Sequence, residues 1–216
     1  MKGEIPMRLK HSFFAIFLAV MLILASDSIA KEIENLLSNP DFKVNTAGWE
    51  LGDGNIFAID KKETCPTGTN VAKAAIEAVG ANNWNPELHS PSFALDSSKT
   101  YTYSFWAKTE PGKTKLINPS FESNDPVWAG AAGTSVTLTD QWVEYHSTAV
   151  WGNENRPVVV IHIALNNPPT HLNDLWIAHA KVYEGAFVEE KIVGEKPKAV
   201  TPGEKLASSW GSIKSR

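Results

Sequence analysis

The chain has almost no cysteine, since Cys65 is the only one among 216 residues. A single thiol cannot form a disulfide within the chain, so stability has to come from a packed core even if the protein is exported. Several catalytic motifs are missing as well. The sequence holds no Gly-x-Ser-x-Gly elbow, no His-Glu-x-x-His and no phosphate-binding glycine loop. These absences argue against a disulfide scaffold and against the enzyme classes that those motifs mark.

Strong net charge is missing too. Residues 1–30 hold three of the 20 basic and two of the 24 acidic side chains, so the remainder carries a net charge of about −5. Basic residues do not cluster before the C-terminal tail. A nucleic-acid partner is therefore not expected.

Long apolar runs are absent except near the start. Residues 13–25 form an unbroken apolar run of 13 residues behind a basic head, and residues 28–30 (Ser-Ile-Ala) suit a signal peptidase. A bilayer-spanning helix needs about 20 residues. We therefore expect residues 1–30 to be a secretory signal peptide starting at Met1 or Met7, with an uncleaved membrane anchor as the alternative. The mature chain would then be secreted, periplasmic or on the cell surface, and free of the membrane.

Helical periodicity is scarce, and period-two alternation dominates. Side chains alternate between two faces along four runs, which are separated by turns rich in Pro, Gly, Asn and Asp. The runs are "TYTYSFWAK", "WVEYHSTAVW", "VVVIHIAL" and "LWIAHAKVYE". Only residues 70–80 have helical propensity, and a strand is the alternative there because Val71, Ala75 and Ile76 fit neither period cleanly. This pattern predicts an all-β fold, a two-sheet antiparallel β-sandwich of jelly-roll type.

The alternation also assigns individual side chains to faces. If Ile161 and Ile163 point into the core, His162 points to the opposite, concave side. Trp49, Trp142 and Trp176 follow strand patterns and are expected in the core.

The order of these pieces resembles a known family. Five segments follow the order seen in carbohydrate-binding modules of the CBM4/9 (CenC-like) group. They are "NLLSNPDFKVNTAGWEL", "NNWNPEL", "LDSSKTYTYSFWAKTEPG", "VTLTDQWVEYHSTAV" and "LWIAHAKVYEG". The resemblance spans about residues 35–185 and implies a galactose-binding-like β-sandwich that binds a polysaccharide or oligosaccharide of β-glucan or xylan type. We accordingly expect a signal peptide at 1–30, a binding module at 31–185, and a Lys/Pro-rich linker with a short tail at 186–216.

The stretch "GANNWNPELHSP" (80–91) suggests where a sugar would bind. A sugar ring needs an aromatic plate for its C–H face and amides or carboxylates for its hydroxyls. Trp84 supplies the plate, and Asn85, Glu87 and the neighbouring Asn82 and Asn83 supply the polar groups. A structural cap is the alternative role for Trp84.

The resemblance extends this candidate site. It implies an aromatic residue and an acid from this strand, and a second aromatic residue that would be Trp128. His162 completes the set of candidate ligand-binding residues through its predicted concave orientation.

This sequence departs from the family pattern at the family's structural calcium site. Lys43 and Ala178 stand where acidic ligands are usual, and His179 replaces a second Asp. Calcium needs several oxygen ligands, and an ammonium group would repel it. We therefore expect no cofactor and no metal, although acidic residues remain nearby at Asp41, Asp174 and Glu184.

The sequence leaves other functions open. A glycosidase would need two carboxylates about 5 to 10 Å apart, and Glu87 with Glu122 or Glu144 is the conceivable pair. The alternatives to a free-standing glycan binder are a surface or matrix protein that uses the sandwich for protein contact, and an accessory part of a glycoside hydrolase system. The tail is expected to be disordered, with docking on a cell-surface or enzyme partner as the alternative.

Overall fold

The computed structural model describes residues 33–82, 84–165, 168, 170 and 172–190. The predicted signal peptide and the tail from residue 191 onward lie outside these residues, as does Asn83, so signal cleavage stays a prediction. In the described part of the chain there is no helix long or apolar enough to cross a membrane.

Short strands account for the regular structure of the described residues. They are β1 (Glu50–Leu51), β2 (Ile56–Ile59), β3 (Val71–Ala75), β4 (Glu87–His89), β5 (Phe93–Leu95), β6 (Thr100–Thr109), β7 (Lys115–Ser123), β8 (Ala129–Ala131), β9 (Val136–Leu138), β10 (Val143–Val150), β11 (Arg156–Ala164) and β12 (Leu175–Glu184). The ambiguous stretch at 70–80 thus contains a strand, β3.

These strands form two antiparallel sheets. The large sheet has the order β1-β4-β11-β7-β8, with β5 paired to β11 and β9 paired to β7. The small sheet has the order β10-β6-β12-β3-β2. Buried side chains from both sheets form one hydrophobic core between them. The predicted two-sheet antiparallel β-sandwich is confirmed.

Alternation along each strand builds this core, as the sequence pattern predicts. Ile161 and Ile163 of β11 point inward and are fully buried, and so are Tyr103 and Phe105 of β6. The hydroxyl of Tyr103 crosses the core and donates to the carbonyl oxygen of Pro119, 3.0 Å away. This bond satisfies the one polar atom that the buried tyrosine brings into the core.

The tryptophans divide between two sites. Trp49 is buried in the inter-sheet core, as expected. Trp176 is buried on the outer side of the small sheet, in a cluster with Val71, Ala178 and Cys65, and Trp142 packs there only partly buried. The core assignment is therefore confirmed for Trp176, which lies in a second buried cluster because the loop that carries Cys65 covers this outer face. It is wrong for Trp142, which is only partly buried.

Candidate functional site

The outward side of the large sheet carries an unusually polar set of side chains. The alternation that sends Leu88, Ile161 and Ile163 into the core sends their neighbours on β1, β4, β11 and β7 outward. We call this surface the polar face, and its side chains are Glu50, Glu87, His89, Asn118, Ser120, Glu122 and His162.

Strand register sets the layout of the polar face. Residues directly opposite each other in an antiparallel pair project to the same side of the sheet. Glu50 lies opposite His89, His89 opposite His162, and His162 opposite Ser120. A row of polar side chains therefore crosses four strands, and His162 faces outward as predicted.

Three depressions formed by the described residues lie along this row, and two of them are lined by predicted site residues. One, of about 440 Å³, is lined by Asn118, Ser120, Glu122 and His162, among others. The other, of about 260 Å³, is lined by Asn85, Glu87 and His89 together with residues 50–53. The fold thus brings together three of the five predicted site residues, Asn85, Glu87 and His162.

His162 and Glu122 form a tight pair at the centre of the face. Nδ1 of His162 lies 2.9 Å from Oε2 of Glu122, and His162 is only 8% exposed. The hydrogen bond from His162 lowers the pKa of the Glu122 carboxyl, and side-chain bonds from Trp128 and Asn124 lower it further against the opposing effect of burial. Glu122 is therefore a carboxylate at neutral pH.

His89 lies beside this pair. Its ring packs edge-on against that of His162, with centroids 5.3 Å apart, and its Nε2 lies 3.1 Å from Oε2 of Glu87. Burial, and then repulsion from His162, lowers the pKa of His89, although Glu87, Glu122 and Glu50 oppose that shift. His89 is therefore a neutral imidazole at neutral pH.

Trp128 lies at the edge of the polar face formed by β7 and β8. Its ring packs on Gly130, where an added Cβ would come within 3.0 Å of the indole. Gly130 lies opposite Glu122 in the register, so the indole lies beside the Glu122 carboxyl, and the Trp128 side chain helps to lower the pKa of that group. The indole is 69% exposed, so it presents an aromatic surface to solvent beside the carboxylate.

Trp84 lies in the loop before β4 and is 47% exposed. The next residue, Asn85, lines the smaller depression, and its backbone N–H donates to the carbonyl oxygen of Asn82. Among the depressions whose lining the structure describes, none includes Trp84. The stretch that sequence reasoning selected thus lies at one end of the polar face, and ligand contact by Trp84 stays a prediction.

Sequence reasoning missed His89 as a site residue and considered Glu122 only as part of a catalytic pair. The signal for both was the alternation in "ELH" and in "SFES", which places Glu87 with His89, and Ser120 with Glu122, on one face. The alternation in "ELH" is hard to recognise because β4 has only three residues, too few to establish a period.

The two candidate catalytic pairs, Glu87 with Glu144 and Glu87 with Glu122, differ in whether their carboxylates share one face of the sandwich. Glu144 lies on β10 in the small sheet and is 3.5 Å from Nζ of Lys181, so the core separates it from Glu87. Glu87 and Glu122 share the polar face, but each lies against a histidine.

The acidic residues near the expected calcium position are each paired with a basic side chain. Asp41 lies 2.6 Å from Nδ1 of His179, which a bulge in β12 turns toward it. Asp174 lies 2.6 Å from Nζ of Lys73. Glu184 lies 3.0 Å from Nζ of Lys99. These three carboxylates are therefore held by different partners instead of converging on one ion.

We accordingly predict that millimolar calcium leaves the melting temperature unchanged. A ligand that binds only the folded state, at 100 times its dissociation constant, adds about 2.7 kcal/mol. That would raise the melting temperature of a domain of this size by several degrees. Differential scanning calorimetry with calcium and with EDTA measures the shift. A calcium-dependent rise of several degrees would contradict the prediction.

Comparison with known proteins agrees with this geometry. Residues 34–169 match the model of the carbohydrate binding domain family CBM_4_9. The chain belongs to this family. The match covers well over half of the 216 residues and includes β1 to β11. No curated protein is significantly similar to the chain.

Solved structures of carbohydrate-binding modules share the fold of this CBM_4_9 domain. The CBM22-1 xylan-binding domain from Paenibacillus barcinonensis is 12% identical, with a TM-score of 0.55, over 74% of this chain and 99% of that one. The N-terminal cellulose-binding domain of Cellulomonas fimi β-1,4-glucanase C is 17% identical, with a TM-score of 0.50, over 65% and 91% of the two chains. At these identities the likeness shows the fold alone.

Proposed function

We propose that the chain is a secreted, non-catalytic module that binds a β-linked polysaccharide of glucan or xylan type on the polar face. Family membership supports carbohydrate binding in general. The xylan-binding and cellulose-binding descriptions of the two similar structures support the choice of glycan class.

The observation that carries the proposal is the position of Trp128 relative to the polar row. An exposed indole stands beside Glu122, and imidazole, amide and hydroxyl groups extend across the neighbouring strands. This arrangement offers an apolar plate for the C–H face of a sugar ring and hydrogen-bonding groups for its hydroxyls.

The length of the polar row favours a chain of several sugar units over a single sugar. The row crosses four neighbouring strands, which lie about 4.8 Å apart in a sheet. The span from β1 to β7 is therefore about 14 Å. In this proposal Trp84 forms a second aromatic platform at the β4 end, with Asn85 and Glu87 bound to hydroxyls next to it.

Affinity electrophoresis of the wild-type chain tests the proposal. The gels would contain soluble xylan, mixed-linkage β-glucan or a cellulose derivative, and dextran serves as the α-linked control. Retardation by a β-linked glycan but not by dextran is expected. If no glycan retards the chain, protein contact becomes the better account. Secretion is tested separately by N-terminal sequencing of exported protein, which should begin at Lys31.

A further inference from the structure

The polar face contains a donor set more specific than glycan binding requires. Glu87, His89 and His162 each offer one ligand atom, and these three atoms lie within 4.8 Å of one another. Donors bound to one zinc ion lie about 3.4 Å apart, given bonds of about 2.0–2.2 Å. A side-chain shift of about 1 Å would therefore bring all three onto a single ion. The paired strands β4 and β11 hold the three residues in place.

The histidines also carry unsatisfied nitrogens. Nε2 of His89 and Nε2 of His162 are both shielded from solvent, and neither has a hydrogen-bond partner among the described residues. The 3.1 Å approach of His89 Nε2 to Glu87 therefore does not have hydrogen-bond alignment. A buried polar atom without a partner is costly, and a metal ion would satisfy both nitrogens together.

His179 differs from the two histidines on the polar face, because neither of its ring nitrogens lacks a partner. Nδ1 of His179 lies 2.6 Å from Asp41, and its Nε2 lies 2.7 Å from Glu190. Both of its ring nitrogens are therefore engaged, and it has no free position for a ligand.

Glu122 supplies the outer support that metal-binding histidines usually have. It holds Nδ1 of His162 at 2.9 Å, which leaves Nε2 as the nitrogen available to a ligand. A carboxylate on the far nitrogen fixes the ring orientation and makes the metal-binding nitrogen more basic.

The surrounding charge favours a cation. The three described depressions along this face contain Glu50, Asp53, Glu87 and Glu122 but no lysine or arginine in their linings. No basic side chain in those linings would repel a divalent ion, unlike Lys43 near the family calcium position.

We propose that Glu87, His89 and His162 bind a divalent transition-metal ion of the zinc type, with Glu122 as a positioning residue. Two imidazoles and one carboxylate are donors that zinc accepts, whereas calcium and magnesium prefer oxygen ligands only. Three protein ligands leave a fourth position for water or another oxygen donor. The site does not depend on glycan binding, so it is tested without any glycan.

Calorimetric titration of the purified, EDTA-treated and dialysed chain with zinc tests the proposal. We expect one zinc ion per chain with micromolar or tighter affinity. His89→Gln and His162→Gln should each weaken binding by at least 100-fold. Glu122→Gln should weaken it by about 10- to 100-fold, the range known for outer-shell partners. His146→Gln is the matched control because His146 lies on β10 in the small sheet, and it should bind zinc like the wild type.

Two results would overturn the proposal: no zinc uptake by the wild type, or equal uptake by folded His89→Gln and His162→Gln. Competition by millimolar calcium or magnesium would overturn the choice of a transition metal. If the variants do not fold, nitrogen NMR of the wild type decides. Zinc should shift the imidazole signals of His89 and His162, and unchanged signals would contradict the site.

Discussion

Trp128→Ala is expected to weaken glycan binding by about 30-fold while leaving the fold intact. Hydroxyl hydrogen bonds to a wet sugar largely replace bonds to water, so most of the net gain comes from C–H surface covered by the indole. Removing such a platform costs about 2 kcal/mol, the range of a binding hot spot, and this corresponds to roughly 30-fold in affinity. Because the side chain is 69% exposed, the free energy of unfolding should change by less than about 0.5 kcal/mol.

Affinity electrophoresis measures the effect against the glycan that retards the wild type. Trp84→Ala tests the second platform in the same gels. Trp142→Phe is the control, because Trp142 packs on the outer side of the small sheet. Equal retardation of wild type and folded Trp128→Ala would show that this indole is not a platform. If Trp84→Ala is also retarded like the wild type, the proposed stacking on the polar face is wrong.

Lys115→Met is expected to stabilise the protein at pH 7 by about 1–2 kcal/mol. Lys115 is fully buried at the start of β7. Burial lowers its pKa from the usual 10.5 to about 8, although Asp174 and Glu110 pull it upward. Each tenfold change in proton affinity is about 1.4 kcal/mol, so protonated Lys115 opposes folding by up to about 3 kcal/mol. Methionine keeps the apolar stem and loses the hydrogen bonds of the ammonium, which include long ones of 3.4 Å to the Leu165 carbonyl and 3.5 Å to the Thr170 carbonyl.

The contribution of Lys115 to the free energy of unfolding depends on pH. Between pH 8 and pH 10.5 the unfolded chain binds more protons at Lys115 than the folded chain does. The contribution of Lys115 to stability therefore rises with pH across this window and is lowest below pH 8. The advantage of Lys115→Met should shrink by pH 10.

Urea unfolding at pH 7 and at pH 10 measures this difference. Lys113→Met is the control, because Lys113 is a half-exposed neighbour paired with Glu110 at 3.0 Å. Its effect should stay within about 0.5 kcal/mol at both pH values. If Lys115→Met is less stable than the wild type at pH 7, the contacts of the ammonium group stabilise the fold instead.

The sequence was sufficient to predict the sandwich, because alternation over eight to ten residues is a clear signal. It also placed Ile161 and Ile163 in the core and His162 on the opposite face, since one register decides all three. Sequence reasoning predicted the burial of Trp176 but not its place in a second cluster, because alternation separates two faces without showing what covers the outer one. Here the loop that carries Cys65 covers it.

The site itself was only partly predictable. Asn85 and Glu87 were proposed because their neighbourhood has an unusual composition, and both line the smaller depression. His89 and Glu122 join them through strand pairing: β4 meets β11 although the two are more than 60 residues apart in the chain. Long-range pairing of this kind is set by the packing of the whole sandwich, and no local pattern in the sequence encodes it.

The central claim is that the polar face of the large sheet binds glycan. NMR titration of the nitrogen-labelled chain with xylohexaose and cellohexaose tests it most directly. The account predicts that one of them shifts the indole N–H of Trp128 and the backbone amides of β4, β7 and β11. The indoles of Trp176, and of Trp106 and Trp142, which pack against the Trp176 cluster on the outer side of the small sheet, should stay unchanged. Shifts confined to those three indoles, or no shift at millimolar oligosaccharide, would contradict it.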